Sequence, residues 1–594
     1  MSDDVQVKST ATADEQRPTQ NEDGMTQETG NRSATEMQAR DEGTKTEETK
    51  ADRKKIWGKQ EKPRVKDISR KELDVLEPVS IDELMPLPPP YDKIEEQPGW
   101  KEMSEEAKAG TQCTLDGFAA SPIPQPESPE EEEELVEAFV SGLKKLLSRE
   151  NNWEFLQPLT LSIDYCVGCQ TCADACHVFK GSGEKEIYRP TYRSEVFRKL
   201  VKKYVKPGGK ILSHFTGADI DLNWETVTRL YELAYRCNLC RRCAQTCPIG
   251  VDNGLIAHEI RKVFSQELGW APRELHEKGT ELQLQIGSST GMNPVVVKDN
   301  IEFIDEDMED ETGIHVETPF DKEDSEYLLI HNAGEILAWP ENPGAFSIIM
   351  EKAGLDWTMS SEEVGYDGVN YGLFYDDVQL ARIALTHAQI GKRLGAKKLI
   401  MGECGHQHKA LMTVADRVLG GDNNIPRESA LTLLEEIVFS GKIEFDPSKN
   451  DFPVTLHDPC NIVRNLGIVE PQRRILRYLC PQFREMTPHG VDNYCCGGGS
   501  GFAVMSPYNF TDWRVSIASR MKFKQILDAF GDQPEPEVKK YVCAPCSNCK
   551  GQIRDVLQYY GALDKSGITY GGLVELIVNA MVDVKEPFIH WEMH

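Results

Sequence analysis

The pattern of apolar positions changes character along the chain. Up to about residue 90, Thr, Glu, Gln, Asp and Lys dominate and no aromatic or β-branched pattern emerges. Such a segment buries too little to offset the entropy of ordering it, so disorder is expected. MPLPPPYDKIEEQPGW (85–100) is expected to be extended, because consecutive prolines favour polyproline II, and to act as a linker or docking peptide. The disordered acidic and Pro-rich extension is placed at residues 1–127. Helical order is expected from Ser128, which suits an N-cap. Pro129 suits the first helical position, and Glu130 to Glu134 meet the positive end of the helix dipole. Leu135, Val136, Phe139, Val140, Leu143, Leu146 and Leu147 then recur at helical spacing.

The same period runs through SEVFRKLVKKYV, WETVTRLYELAY and GLIAHEIRKVFSQE, giving a helical domain over 128–270. A connector (271–325) follows, with dense acidic character over 299–326. It reads as a solvated helix and linker, or as a surface that selects a basic partner. From Glu326 the pattern turns α/β. Strands YLLIH (327–331) and KKLIMGE (397–403) alternate with the helix DDVQLARIALTHAQIGKRLG (376–395). Strand PVTLHD, helix TDWRVSIASRMKFKQILDAFG (511–531) and strand KKYVC repeat the layout. An internal duplication is expected, with halves at 326–445 and 446–594, and GECGHQHKA (402–410) aligned on APCSNCKGQ (544–552). The fold class is α+β multidomain.

Net charge is −30 over 594 residues, which argues against nucleic acid, since phosphate binding needs clustered Lys and Arg. No run of eighteen apolar residues appears, and GGLVELIVNAMV (571–582) is too short to span a bilayer. The polar opening is unlike a signal peptide. In a long chain without export signals, 17 cysteines point to metal or redox work in a reducing compartment, so a cytoplasmic location is expected.

The cysteines carry the chemistry. CVGCQTCADAC places Cys166, Cys169, Cys172 and Cys176; CNLCRRCAQTCP places Cys237, Cys240, Cys243 and Cys247. Two such runs are a two-cluster ferredoxin signature, in which the fourth cysteine of each serves the other cluster. One cubane 4Fe–4S cluster is then expected on Cys166, Cys169, Cys172 and Cys247, and the other on Cys237, Cys240, Cys243 and Cys176. Near the end come HDPC (457–460), NYCCGGGSGF (493–502) and YVCAPCSNCK (541–550). Adjacent Cys495 and Cys496 cannot easily bridge each other. Followed by three glycines, they make more sense as ligands to a large cofactor that the backbone must approach closely. Strand-end loops are where α/β layers gather sites, so an iron–sulfur active site is expected there. Cys113 stands alone.

The helical module resembles that of respiratory iron–sulfur subunits. The terminal pattern resembles the CCG cysteine-rich domain, with which heterodisulfide reductases hold a non-cubane 4Fe–4S cluster. That resemblance implies Cys460, Cys495, Cys496, Cys546 and Cys549 as ligands. CAPCSNC offers two overlapping pairs, leaving Cys543 as an alternative. The first half keeps only Cys404 and is expected to carry no cluster. His406 reads as a polar residue of a satisfied turn, or as a group lining the active site; His457 reads as orienting its loop, or as a proton donor to a leaving thiolate. Cys480 is expected to be dispensable.

The domain order resembles the D-type subunits of heterodisulfide reductases and, more closely, the DsrK-type catalytic subunits of membrane-bound Dsr complexes; Hmc and Tmc subunits share the layout. It implies disulfide or trisulfide oxidoreduction, a haem b (DsrM-like) membrane partner linked to quinone, other Dsr subunits, and a DsrC-like small protein substrate. It also implies peripheral attachment to the inner face of the membrane. No second Gly-rich phosphate loop or basic pocket marks a site for a charged small thiol, so a protein-borne substrate is expected. Alternatives are an iron–sulfur subunit of a flavin-dependent 2-hydroxyacid or glycerol-phosphate dehydrogenase, a reductase of a small thiol coenzyme, and a pure electron-transfer subunit.

Overall fold

The computed structural model describes residues 68, 76–101, 115–118, 123, 125–152, 154–505 and 513–592. Residues 1–67 of the expected extension, and Cys113, lie outside them. The described part of that extension is not loose. Leu84, Leu87, Tyr91 and Ile94 are buried in the same apolar core as the helical domain. Tyr91 packs its ring edge on Phe523 and Tyr560 and shares a hydrogen bond with Ser566 at 2.7 Å. The Met85 amide donates to Gly181, and Gly99 to Tyr559. The Pro-rich stretch is therefore a strap from the helical domain to the last α/β half. Its aromatic and aliphatic residues are too widely spaced for periodicity to reveal.

The helix Pro129–Leu146 begins as expected: Ser128 Oγ accepts from the Glu131 amide at 3.2 Å. It packs on the helix Asn253–Leu268, with Phe139 against Phe264. Between them lie Pro190–Leu200, which runs on through a π-turn Val201–Val205, and Trp224–Ala234, whose residues are nearly all buried. The acidic connector is half a correction. Pro294–Thr312 is one helix, but Val297, Ile301, Ile304 and Met308 bury one face of it against the α/β region. Most of its acidic residues occupy the outer face, but Asp305 is buried and accepts from the Thr318 amide at 2.7 Å and hydroxyl at 2.9 Å.

Two four-stranded parallel sheets follow among the described residues. Strands β1 (Tyr327–Ile330), β2 (Trp357–Thr358), β3 (Lys398–Met401) and β4 (Arg427–Ser429) lie in the order β2-β1-β3-β4. Strands β5 (Val454–Leu456), β6 (Phe483–Arg484), β7 (Lys540–Cys543) and β8 (Ile568–Gly571) lie in the order β6-β5-β7-β8. The identical connectivity is what an internal duplication produces. Side chains alternate across each strand. Leu329, Ile400, Leu456, Tyr541 and Cys543 face one apolar layer shared by the two sheets, whereas Val542 and Ala544 join the core that reaches the helical domain.

The turns after β3 and β7 share a geometry. The Cys404 amide donates to Gly402 at 2.7 Å, and the Cys546 amide to Ala544 at 2.6 Å. Each cysteine then caps a helix, Gly405–Gln407 or Ser547–Tyr560. The two turns also bond each other, because the Ser547 amide donates to the Glu403 carbonyl at 2.7 Å.

Candidate functional site

The end of β5, the loop after the short 3-10 turn Gly490–Asp492 and the end of β7 converge on one spot. Cys460, Cys495, Cys496, Cys546 and Cys549 are all buried there. Cys496 and Cys549 Sγ are 3.5 Å apart, and a ring nitrogen of His457 lies within 4.8 Å of both. Cys495 neighbours the thiols of Cys460, Cys496 and also Cys240 of the helical domain, while Cys549 neighbours those of Cys496 and Cys546. The neighbouring thiols and burial push Cys495 and Cys549 up. Such a set becomes thiolate only against a cation.

Three backbone amides point at these sulfurs. Gly497 donates to Cys495 and Gly498 to Cys496, both at 3.4 Å, and Gly405 of the first half donates to Cys546 at 3.2 Å. Sulfur-directed amides tune a cluster's potential. The glycines have local reasons. Gly497 has φ +93°, and a Cβ there would lie 2.4 Å from Ser519 Oγ; a Cβ on Gly405 would meet Cys546 Sγ at 3.2 Å. The converging thiols, the amides and the bare backbone fit a large cluster rather than a single ion.

Cys543 sits apart. It follows the strand alternation into the shared layer with Cys480, away from the five thiols. Cys404 is buried beneath the site with Asn332 and Asn548 amides at 3.7 Å, and burial pushes its thiol up to about 12. His406 reaches the CCG loop, with Nε2 3.9 Å from where a Gly499 Cβ would stand and its ring edge on Phe374. Burial lowers it to about 4. The degenerate half thus presents His406 and the Gly405 amide to the site. Among the described residues neither ring nitrogen of His457 has a hydrogen-bond partner.

In the helical domain, desolvation and the thiols Cys176, Cys166, Cys169 and Cys247 push Cys172 up to about 12. Desolvation, Cys240 and Cys237 do the same to Cys176. Cys243 is pushed up by burial, Asp252, Cys240 and Cys237. Cys169 is exposed beside exposed Tyr165 and Val167, whereas Cys240 turns inward to the CCG loop.

Several residues that hold this junction carry no cysteine-type signal. Asn238 Nδ2 donates to the Gly497 carbonyl at 2.6 Å, and its Oδ1 pairs with His177 Nε2 at 2.8 Å. Arg464 bridges the Cys240 and Val491 carbonyls at 2.9 and 2.7 Å. Asp458 receives both terminal nitrogens of Arg473 at 2.7 and 2.6 Å, plus the Gly490 amide at 2.6 Å. Lys522 lies buried beside the thiols, bonded to Asn493 Oδ1 at 2.6 Å, and burial lowers it to about 7. A lysine on the apolar face of TDWRVSIASRMKFKQILDAFG, next to Phe523 and near Ile526, was a readable signal for this one. The expectation that no basic pocket exists also needs correcting: Arg241, Lys409 and Arg417 line a cavity of about 210 Å³ between the helical domain and the first half.

Comparison with known proteins agrees with the geometry. Residues 162–251 match the 4Fe-4S dicluster domain family, and residues 454–554 match the CCG cysteine-rich domain family. The protein carries 4Fe–4S clusters. It is 28% identical over 75% of its length to the Hdr-like menaquinol oxidoreductase iron-sulfur subunit 2 of Archaeoglobus fulgidus, covering 83% of that protein. The Archaeoglobus profundus iron-sulfur subunit is 26% identical over 71% of the chain and 79% of its own length. The D-type subunit of the dihydromethanophenazine:CoB--CoM heterodisulfide reductase of Methanosarcina barkeri is 22% identical over 71% of the chain and 94% of its own length. The chain is similar to these heterodisulfide reductase-like iron–sulfur oxidoreductase subunits. No helix among the described residues is long and apolar enough to cross a membrane.

Proposed function

We propose that the chain passes electrons between a membrane-bound quinone or haem b partner and a disulfide or trisulfide, using two cubanes and one non-cubane 4Fe–4S cluster. The observation that carries this reading is the direct junction of the second cysteine run with the CCG loops, where Asn238 Nδ2 donates to the Gly497 carbonyl at 2.6 Å and Arg464 donates to the Cys240 carbonyl at 2.9 Å without an intervening layer. Cys460, Cys495, Cys496, Cys546 and Cys549 would hold the non-cubane cluster. Cys237, Cys240, Cys243 and Cys176 would hold the inner cubane, and Cys166, Cys169, Cys172 and Cys247 the outer one, near the exposed Cys169. Such a set, when loaded, supplies one-electron relay and a sulfur-reactive iron edge. The protein's own groups fix the loops: Asn238, Arg464 and the Asp458–Arg473 pair hold backbone on either side of the junction, and His406 and Phe374 cover it from the first half.

The membrane partner would be DsrM-like and the substrate a DsrC-like small protein, as in the DsrK-type subunits, with attachment to the membrane through that partner. The electron arithmetic suits the arrangement, since cleaving one S–S bond takes two electrons and about 30 mV shifts such a couple tenfold. The cationic cavity beside Cys460 favours a second reading, a free anionic disulfide as substrate. The test is to reduce the clusters chemically and mix the protein with a partner-borne disulfide and with small disulfides. Rapid reoxidation by one class is expected. Clusters that stay reduced with every disulfide would reject the oxidoreductase reading in favour of pure electron transfer.

A further inference from the structure

A surface helix ordinarily turns its apolar face to the core, and one helix of this protein is mounted the other way round. In Gly209–Thr216 the buried positions are Gly209 and Ser213, whereas Ile211, Leu212 and Phe215 are 72%, 54% and 85% exposed. Close packing fixes that mounting. A Cβ on Gly209 would lie 2.1 Å from the Lys202 carbonyl oxygen and 2.7 Å from that of Lys203, so the bare face is pressed onto the π-turn Val201–Val205. Ser213 completes this face, its hydroxyl donating to the Lys210 carbonyl at 3.0 Å. Gly208 and Gly217, at φ +69° and +67°, bracket the helix. Rotating the apolar residues inward would drive a side chain into the turn.

The surroundings are basic. Between Glu195 and Asp219 the chain carries no carboxylate. Lys202, Lys206 and Lys210 are exposed there, and Lys203 is half-buried. Lys203 is paired with Asp219 at 2.9 Å and approached by Asp221 at 4.0 Å, while Lys206 stands 3.9 Å from Asp164. Among the described residues Lys202 and Lys210 make no ion pair. Glu133 and Glu137 of the helix Pro129–Leu146 share a groove with Lys210 and bound the basic strip on that side. Exposed apolar side chains among lysines suit a protein partner poorly, because protein interfaces are depleted in lysine. They suit a lipid surface, where apolar side chains enter the headgroup boundary and lysines reach the phosphates. With a net charge of −30, the chain would approach an anionic surface favourably only by leading with a basic strip of this kind.

We infer that the segment 202–215 rests directly on an anionic lipid bilayer, with Ile211, Leu212 and Phe215 in the headgroup boundary and Lys202 and Lys210 on the phosphates. This contact is separate from attachment through a partner subunit and needs no redox chemistry. It also sets an orientation. Asp164, beside Lys206, ends the helix Leu156–Asp164 and is followed by exposed Tyr165 and by Cys166, the start of the first cysteine run. A bilayer at this strip therefore lies near the run that contains the exposed Cys169. Only this last step rests on the proposed electron path, in which the outer cubane would be the cluster nearest a membrane-borne redox partner.

The test is co-sedimentation of the full cluster-loaded chain with protein-free vesicles, one set of phosphatidylcholine alone and one of phosphatidylcholine mixed with phosphatidylglycerol. Binding to the mixed vesicles, weakened by added salt, is expected. Ile211→Ser combined with Phe215→Ser is expected to weaken it at least about tenfold, since both side chains lose their transfer out of water. Lys202→Gln combined with Lys210→Gln is expected to weaken it about tenfold and to leave the low binding to phosphatidylcholine unchanged. Iron content and Tm equal to those of the parent protein show that each variant is folded. If a double variant does not fold, Phe215→Trp serves instead, and bromine-labelled lipid should quench its emission beyond the level of the parent protein. No binding to the mixed vesicles, equal binding to both kinds, affinities unchanged in both double variants, or no added quenching would overturn the assignment. Vesicle binding by a chain that turns over no disulfide leaves the lipid contact standing and rejects the redox reading. Disulfide turnover without vesicle binding does the reverse.

Discussion

On the proposed three-cluster assignment, replacing Gly497 by Ala should remove the third cluster while leaving both cubanes in place. The glycine follows the two adjacent cysteines at φ +93°, and an added Cβ would lie 2.4 Å from Ser519 Oγ and 2.9 Å from the Ala518 carbonyl carbon and the Ser519 nitrogen. Ser519 cannot swing away freely, because its hydroxyl donates to the Arg514 carbonyl at 2.8 Å and also bonds Gln552. A left-handed conformation costs an L-residue about 1–2 kcal/mol, and forced overpacking adds about 1–3 kcal/mol. The total, roughly 2–5 kcal/mol, is a large share of a domain's stability of about 5–15 kcal/mol.

The easiest relief is movement of the loop itself. That would break the Gly497 and Gly498 amide contacts to Cys495 and Cys496. Gly499→Ala is the control, because its Cβ would meet nothing closer than the Asn238 carbonyl at 3.2 Å. Iron content, electron paramagnetic resonance and melting temperature are the readouts. Gly497→Ala should lose the third signal and melt at least roughly 4 °C lower, whereas Gly499→Ala keeps the signal. A Gly497→Ala protein with an intact third signal and an unchanged Tm would refute the reasoning.

Three more outcomes are expected. Cys176→Ser should disturb the cubane of the second run more than that of the first, since Cys176 neighbours Cys240 and Cys237; single-mutant resonance spectra check this, and selective damage to the first-run cubane would reverse the pairing. Cys543→Ser should keep the third cluster and Cys549→Ser should lose it, because Cys543 lies across the sheet in the shared layer; iron counts on the two variants decide. Tyr91→Ala should destabilise the chain by roughly 3 kcal/mol, the usual size for emptying a buried aromatic site, and lower Tm without changing the cluster spectra, since the ring is buried against Phe523 and Tyr560.

Much of the architecture was legible because its signals are local. Ser128, Pro129 and the glutamates mark a helix start by capping chemistry alone, and β1, β3, β5 and β7 stand out as short apolar runs. The cysteine spacing identified both cluster regions, because ligand geometry requires fixed intervals. What stayed hidden is non-local. The strap at 85–100 is ordered by Phe523, Tyr560 and Ser566, which lie far along the chain in the last α/β half. The placement of Cys543 depends on which face of β7 points at which core, a matter of parity that the overlapping C-x-x-C pairs do not reveal. The cavity arises from residues of three separate regions, and no window of sequence contains it.

The matching strand order and turn geometry set the first half against the second half's site, although the first half lacks the cysteines for a cluster of its own. Cys404 occupies the position of Cys546 in an identically bonded turn, and the two turns are bonded to each other. A loop with matching geometry and no metal to hold is free to serve its twin. Its Gly405 amide donates to Cys546 Sγ, and His406 packs beside the CCG loop. Lys409, one helical turn on, faces the cavity. The bare Gly405 follows from the same constraint, since any side chain there would crowd the sulfur. Where the first half approaches the second half's cysteines it presents an amide donor and an imidazole rather than thiols. The degenerate half works as the roof of the active one.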